Sequence, residues 1–199
     1  DHLDLPFYKY LSSRIPMIVP RGLAPFVTKF LRNPVIELEW GTSHEIGKNC
    51  RVTAVPVSHH GFRILPFRYT RCNGYLLEME GHRIFLPGDT AFRSDFASLA
   101  PVDAAFLPIG CYRPAWFMKG RHMNPEEAVR VLEETKARLM IPIHWGVFKL
   151  STEPVEEPGE WLKRLISDRN LGGRIRFLNP GESVPLAPQK TLSLLRKIS

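Results

Sequence analysis

The sequence predicts a layered α/β protein, and three observations carry that expectation. Residues 103–109 and 139–143 form two mostly apolar runs, with the length and composition of strands covered on both faces. Between them, Asn124 can cap a helix that has Pro125 at its first position, Glu126 and Glu127 in its first turn, and an apolar stripe of Ala128, Val129, Val131 and Leu132. The acid and imidazole groups cluster at Ser58-His59-His60, Pro87-Gly88-Asp89-Thr90 and Pro142-Ile143-His144-Trp145-Gly146. Each cluster follows a strand-like run, which is where an α/β protein keeps its chemistry.

The other elements follow in order. Pro6, Pro16, Pro20, Pro25 and Pro34 punctuate residues 6–34, which reads as small helices and connecting loops. Val35–Glu39 and Arg51–Val57 read as strands, the second alternating polar and apolar residues. Tyr75–Met79 and Arg83–Leu86 flank Glu80-Gly81-His82 as a hairpin, with Gly81 supplying the tight turn. A second helix is expected from about Pro158 through Leu171, stopped by Gly172-Gly173. A strand Arg174–Leu178 and a turn at Asn179-Pro180-Gly181 then close one domain over residues 1–186, leaving 187–199 as a basic, Leu-bearing tail.

With 44% hydrophobic and 24% charged residues, the composition is that of a soluble globular chain. No stretch approaches the roughly 18 apolar residues that a spanning helix needs. A formal charge of +7 suits phosphate-bearing partners, anionic lipid headgroups among them. The basic residues are scattered, with no RNA-binding signature or zinc-finger spacing, so no nucleic acid is expected. Cys50, Cys72 and Cys111 form no C-x-x-C pair, which argues against a disulfide framework or a thiolate zinc site and fits a reducing compartment. There is no Gly-x-Ser-x-Gly elbow, and Gly47-Lys48 lacks the rest of a phosphate-loop pattern.

Imidazole and carboxylate are ligands for first-row metals, and a bridging carboxylate commonly holds two cations about 3.5–4 Å apart. Asp1, His2, His59, Asp89 and His144 have that composition. A single His beside an apolar strand is more often structural; taken jointly, with four of the five where a segment ends or begins and no competing cysteine site, these groups favour a metal site.

The same residues carry a family resemblance. Asp1-His2-Leu3-Asp4 looks like the second half of the His-x-His-x-Asp-His signature of the metallo-β-lactamase superfamily. Gly88-Asp89-Thr90 resembles its bridging-aspartate motif, and Ile143-His144-Trp145-Gly146 its last metal histidine. More narrowly, residues 107–118 (Leu-Pro-Ile-Gly-Cys-Tyr-Arg-Pro-Ala-Trp-Phe-Met) and His122 to Val129 resemble the N-acyl-phosphatidylethanolamine-hydrolysing phospholipases D and their bacterial relatives. The resemblance runs from Asp1 to about Leu178.

It implies a four-layer αββα sandwich, with part of the first sheet missing from this chain. It implies two Zn²⁺: Asp1, His2 and His144 on one, Asp89 bridging, and His59 on the other beside two histidines expected upstream of Asp1. The chain alone is therefore expected to be inactive. His60 stands where this branch usually has Trp and is given no ligand role; together with Arg63-Ile64-Leu65-Pro66-Phe67 it leaves the substrate's shape open. The implied reaction is hydrolysis of a phosphodiester such as an N-acylated phosphatidylethanolamine. His122 would serve as general acid for the leaving oxygen or donor to a phosphoryl oxygen; its alternative is a loop His fixing the start of the Asn124 helix. Tyr112, Trp116, Phe117 and Met118 are candidates for an apolar substrate mouth, with core packing as the alternative. A phospholipid substrate and the basic charge together imply peripheral contact with an anionic membrane, and a cytoplasmic or peripheral-membrane location is expected. Two rivals stand beside this reading: hydrolysis of a soluble lactone or cyclic phosphodiester on the same site, and a non-catalytic fragment or binding module.

Overall fold

The computed structural model describes residues 3–61 and 70–186. The proline-punctuated start forms two one-turn helices, α1 (Leu5–Tyr8) and α2 (Ala24–Val27), around a strand β1 (Met17–Pro20). β1 pairs in parallel with β2 (Val35–Leu38), Met17 opposite Val35 and Pro20 opposite Leu38. The sequence predicts helices and loops here and no strand; β1 carries no readable period because four residues bracketed by Pro16 and Pro20 are too few to show one. Val19, Val27 and Leu31 are buried together beneath this small sheet.

Six further strands form the main sheet in chain order: β3 (Ser43–Ile46), β4 (Cys50–Gly61), β5 (Thr70–Met79), β6 (His82–Leu86), β7 (Ala104–Pro108) and β8 (Leu139–Ile143). β3 to β6 form an antiparallel meander; β6, β7 and β8 are parallel. The expected hairpin joins β5 to β6, with Glu80 at φ 51° and Gly81 at φ 79°. Two successive left-handed residues match the right-handed twist of the flanking strands. The Tyr75 hydroxyl donates to the Ile18 carbonyl at 3.3 Å and ties the small sheet to β5.

The crossover from β7 to β8 contains a single turn, α3 (Ala115–Met118), and then α4 (Pro125–Glu134). Asn124 caps α4 reciprocally: its side chain accepts the Glu127 N–H at 2.9 Å, and Glu127 accepts the Asn124 N–H at 3.0 Å. Ala128, Val129, Val131 and Leu132 are fully buried in the main core with Phe85, Leu107, Met140 and Leu162. α5 (Glu157–Asp168) packs beside α4.

Two expectations are corrected here. α5 stops at Asp168, short of Leu171, because Asn170 already takes a left-handed conformation (φ 53°) and Leu171 N–H returns to the Ile166 carbonyl at 2.9 Å. Asn tolerates that conformation nearly as Gly does, so the chain turns before Gly172. Residues 174–178 form no strand; Ile175 makes one isolated bridge to Met140, which donates to Arg174 O at 2.7 Å and accepts from Arg176 N at 3.0 Å. The turn at Asn179 is present, closed by Glu182 N–H on Asn179 O at 3.0 Å. The tail proposed for 187–199 lies outside the described residues. The three cysteines are free. No helix among the described residues is long and apolar enough to cross a membrane.

The strand directions place the site. β4 is antiparallel to β5 and β5 to β6, so β4 runs with β6, β7 and β8. All four end on one edge of the sheet.

Candidate metal centre

Each strand ending on that edge delivers one of the expected groups or a loop that supports it. His59 lies near the end of β4, where pairing with β5 slips between Pro56 and His60. Such a bulge re-aims side chains at a sheet edge. Asp89 follows β6 after Gly88, whose φ of 64° turns the chain sharply. Thr90 locks this loop to β4: its buried hydroxyl accepts Ser58 N–H at 2.9 Å and donates to Ala91 O at 2.8 Å, while Ala91 N–H donates to Ser58 O at 3.0 Å.

His144 follows β8 in a left-handed conformation, φ 59°. That is an uncommon state for a non-glycine residue and costs about 1 kcal/mol, a strain found preferentially at functional sites. Gly110 makes room for this turn, since a Cβ there would lie 2.4 Å from the His144 carbonyl oxygen. The neighbouring Cys111 is itself left-handed, φ 68°.

His144 Nε2 lies 3.4 Å from Asp89 Oδ2, with the two side chains 12% and 8% exposed. One donor atom each from Asp89, His122 and His144 falls within 4.8 Å of the others. His122 stacks on His144 at 5.4 Å between centroids, and His59 meets His122 edge-on at 5.2 Å. Burial, and after it the neighbouring His144, lowers His122 to about 4, so near neutral pH it is an uncharged imidazole. Two nitrogens and a carboxylate oxygen at this spacing, partly withdrawn from water, suit a first-row divalent cation such as zinc. The sequence reading grouped His59 with Asp89 and His144 and set His122 apart as a proton donor; the structure brings all four side chains together.

A buried carboxylate that the sequence reading missed holds the loops in place. Glu153, 6% exposed, accepts N–H groups from Cys111 at 2.6 Å, Tyr112 at 3.2 Å and Arg113 at 3.1 Å, and the Ser151 hydroxyl as well. It joins the loop after β7 to the loop after β8. Nothing in the pattern Thr152-Glu153-Pro154 marks a buried acid, because its three backbone partners lie about forty residues away.

Beside the cluster lies a cleft of about 870 Å³, walled by Leu5, Tyr8, Met17, Val19, Leu23 and Phe26 from the small sheet and its helices, with His59, Asp89 and His144 on its other side. Of the four residues expected at a substrate mouth, none lines this cleft. Tyr112 is buried, donates to Glu157 at 2.8 Å and packs edge-on against Trp161; Trp116 and Phe117 are exposed, and Met118 ends α3. Asp1 and His2 lie outside the described residues, as does the 63–67 segment.

Comparison with known proteins agrees with this architecture. A family model described as the Beta-lactamase superfamily domain matches residues 1–145. The chain is 37% identical over 187 residues to the N-acyl-phosphatidylethanolamine-hydrolyzing phospholipase D 1 of Caenorhabditis elegans, covering 85% of this chain and 52% of that protein. It is 34% identical over 178 residues to the mitochondrial N-acyl-phosphatidylethanolamine-hydrolyzing phospholipase D of Saccharomyces cerevisiae, covering 83% of this chain and 38% of that one. The chain thus spans about half the length of the first relative and 38% of the second. Among solved structures, a possible metal-dependent hydrolase from Veillonella parvula superposes with a TM-score of 0.72 at 15% identity, over 90% of this chain and 70% of that one. At that identity the likeness establishes the fold, the sheet-and-helix sandwich expected from the sequence motifs. The chain belongs to the metallo-β-lactamase superfamily and within it is similar in sequence to the N-acyl-phosphatidylethanolamine-hydrolysing phospholipases D.

Proposed function

We propose that this chain carries the metal centre of a zinc-dependent phosphodiesterase of phospholipase D type, acting on N-acylated phosphatidylethanolamine-like lipids. The observation that carries the proposal is that Asp89 and His144 of the Asp89–His122–His144 cluster also line a large, mainly apolar cleft. The cluster suits a phosphoryl group and the cleft an acyl chain; a small soluble ester would leave most of that apolar wall unused. The two phospholipase D relatives point the same way.

Asp89 and His144, with His59 and the Asp1-His2 pair, would hold two zinc ions. Bound divalent cations supply Lewis acidity to phosphoryl oxygens and lower the pKa of water toward roughly 7. His122, uncharged and beside both ligands, donates an N–H to the departing or a non-bridging oxygen as charge builds there. Burial of the cluster keeps these interactions strong by limiting screening by water.

The test presents the full-length, zinc-loaded protein with vesicles containing an N-acylated phosphatidylethanolamine, and separately with lactones and cyclic nucleotides. Release of an acylethanolamine and phosphatidic acid is the expected result. Turnover of the soluble esters with none of the lipid would overturn the substrate class, and absence of all turnover together with no bound metal would favour a binding module.

A further inference from the structure

Among the described residues, the apolar cleft contains one cationic side chain that is paired with no carboxylate. Arg71, on β5, is the single Lys or Arg among the described residues that line it. Its guanidinium lies 4.8 Å from the ring centroid of Trp40. Trp40 is itself fixed, since its indole N–H donates to the Cys72 carbonyl at 3.0 Å. Arg71 forms no ion pair or hydrogen bond with a carboxylate among the described residues.

A neighbour provides the contrast. Arg93 also approaches Trp40, at 5.8 Å, but it is neutralised by a two-pronged contact with Asp95 at 2.9 and 2.5 Å. One arginine at this tryptophan is thus consumed within the protein. The other faces the cleft, held over an aromatic platform that leaves its planar edge of N–H donors available.

We propose that Arg71 is a specificity-determining residue: its guanidinium pairs with an anionic oxygen of the substrate phosphate and selects phosphodiesters over neutral esters. The proposal rests on the phosphodiesterase reading and sharpens it. Arg71 is itself exposed, so its selectivity comes from a planar fork of donors held in place on Trp40 at the cleft that His59, Asp89 and His144 also line, and not from exclusion of water. The phosphate can belong to a lipid headgroup or to a soluble diester, and the experiment separates the two.

Arg71→Met keeps an apolar stem against Trp40 and removes the charge; Arg71→Lys keeps the charge and removes the planar fork. Full-length, zinc-loaded protein is assayed with bis(p-nitrophenyl) phosphate, with a neutral p-nitrophenyl ester, and with phosphatidylcholine vesicles carrying an N-acylated phosphatidylethanolamine. Loss of one charge-assisted hydrogen bond predicts a rise of roughly tenfold in the KM for an anionic substrate in the Met variant. The rise should be several times larger than any change on the neutral ester, fall on KM more than on kcat, and be smaller in the Lys variant. A rise with both diester and vesicles identifies phosphate itself as the partner; one confined to vesicles identifies the headgroup phosphate. Either supports the assignment. No rise on either anionic substrate, or an equal rise on the neutral ester, overturns it. Calorimetric titration with inorganic phosphate reads Arg71 without turnover. If the wild-type protein cleaves no phosphodiester, the reaction proposed above fails, yet weaker phosphate binding by the Met variant still supports Arg71 as the anion site and unchanged binding overturns it.

Discussion

Glu153 accepts the backbone N–H of Cys111 at 2.6 Å across the two loops that flank His144. The same carboxylate takes the N–H groups of Tyr112 and Arg113, so three consecutive backbone donors depend on one side chain. Glu153→Ala would leave those donors without their partner in a buried loop. The expected destabilisation is about 3 kcal/mol or more, because unsatisfied buried donors cost about 1–3 kcal/mol each and water recovers only part. Glu153→Gln should lose less stability, retaining one acceptor oxygen but turning an amide N–H toward a backbone donor. Urea unfolding of the two variants against the parent checks the order, and equal stability of all three would remove Glu153 from its clamping role.

The same contact makes stability fall in acid. Burial alone would raise the Glu153 carboxyl, but the Ser151 hydroxyl and the backbone donors together outweigh it and hold the group below its ordinary value. A folded value below the unfolded one means the unfolded chain binds the proton more readily. The contribution is therefore fully present above the ordinary glutamate value and is lost as pH falls through the lowered folded value. Unfolding free energy measured between about pH 6 and pH 3 should decline more steeply for the parent than for Glu153→Gln. Parallel curves would show that another carboxylate sets the acid limit.

Gly159 sits inside α5, where glycine is ordinarily unfavourable by about 1 kcal/mol relative to alanine. Here the absence of a side chain lets the Trp145 indole rest on the helix backbone; a Cβ would come within 2.3 Å of the ring. Gly159→Ala should therefore destabilise despite the better helix former, by about 1–3 kcal/mol of overpacking less the propensity gain. Trp145 adjoins His144, so the substitution should also weaken metal binding, read by competition with a chromogenic chelator. A gain in Tm would show that the indole moves aside freely.

The parts of this molecule that were legible in its sequence are those governed by local rules. Asn124-Pro125-Glu126-Glu127 writes a helix start in four residues, and all its partners lie within that window. The buried runs of β7 and β8 are legible because both faces are covered and every position prefers an apolar residue. Asp89 and His144 stand out because they interrupt apolar strands at their ends. The Glu153 clamp and the stacking of Arg71 on Trp40 were not legible, since they depend on loops and on a tryptophan distant along the chain. The cleft was missed for a similar reason: its apolar wall comes from residues 5–26, where prolines erase any period. Tyr112 illustrates the converse, an aromatic in a motif-rich run whose hydroxyl is engaged by Glu157.

Asp89 and His122 occupy one cluster, yet they should fail differently when replaced. Asp89 Oδ2 approaches His144 Nε2 at 3.4 Å, the spacing of two ligands that share an ion. Asp89→Asn removes the anionic oxygen that such an ion requires. It should lower zinc affinity by at least about a hundredfold and abolish activity together with metal content. His122→Ala removes an uncharged imidazole stacked on His144. If it acts as a donor to a reacting oxygen, the variant retains its zinc while kcat falls roughly a hundredfold. Zinc per chain after dialysis, measured with kcat on the same samples, separates the two roles. Loss of zinc by His122→Ala to the extent seen in Asp89→Asn would place His122 among the ligands, as the mutual approach of Asp89, His122 and His144 within 4.8 Å also permits.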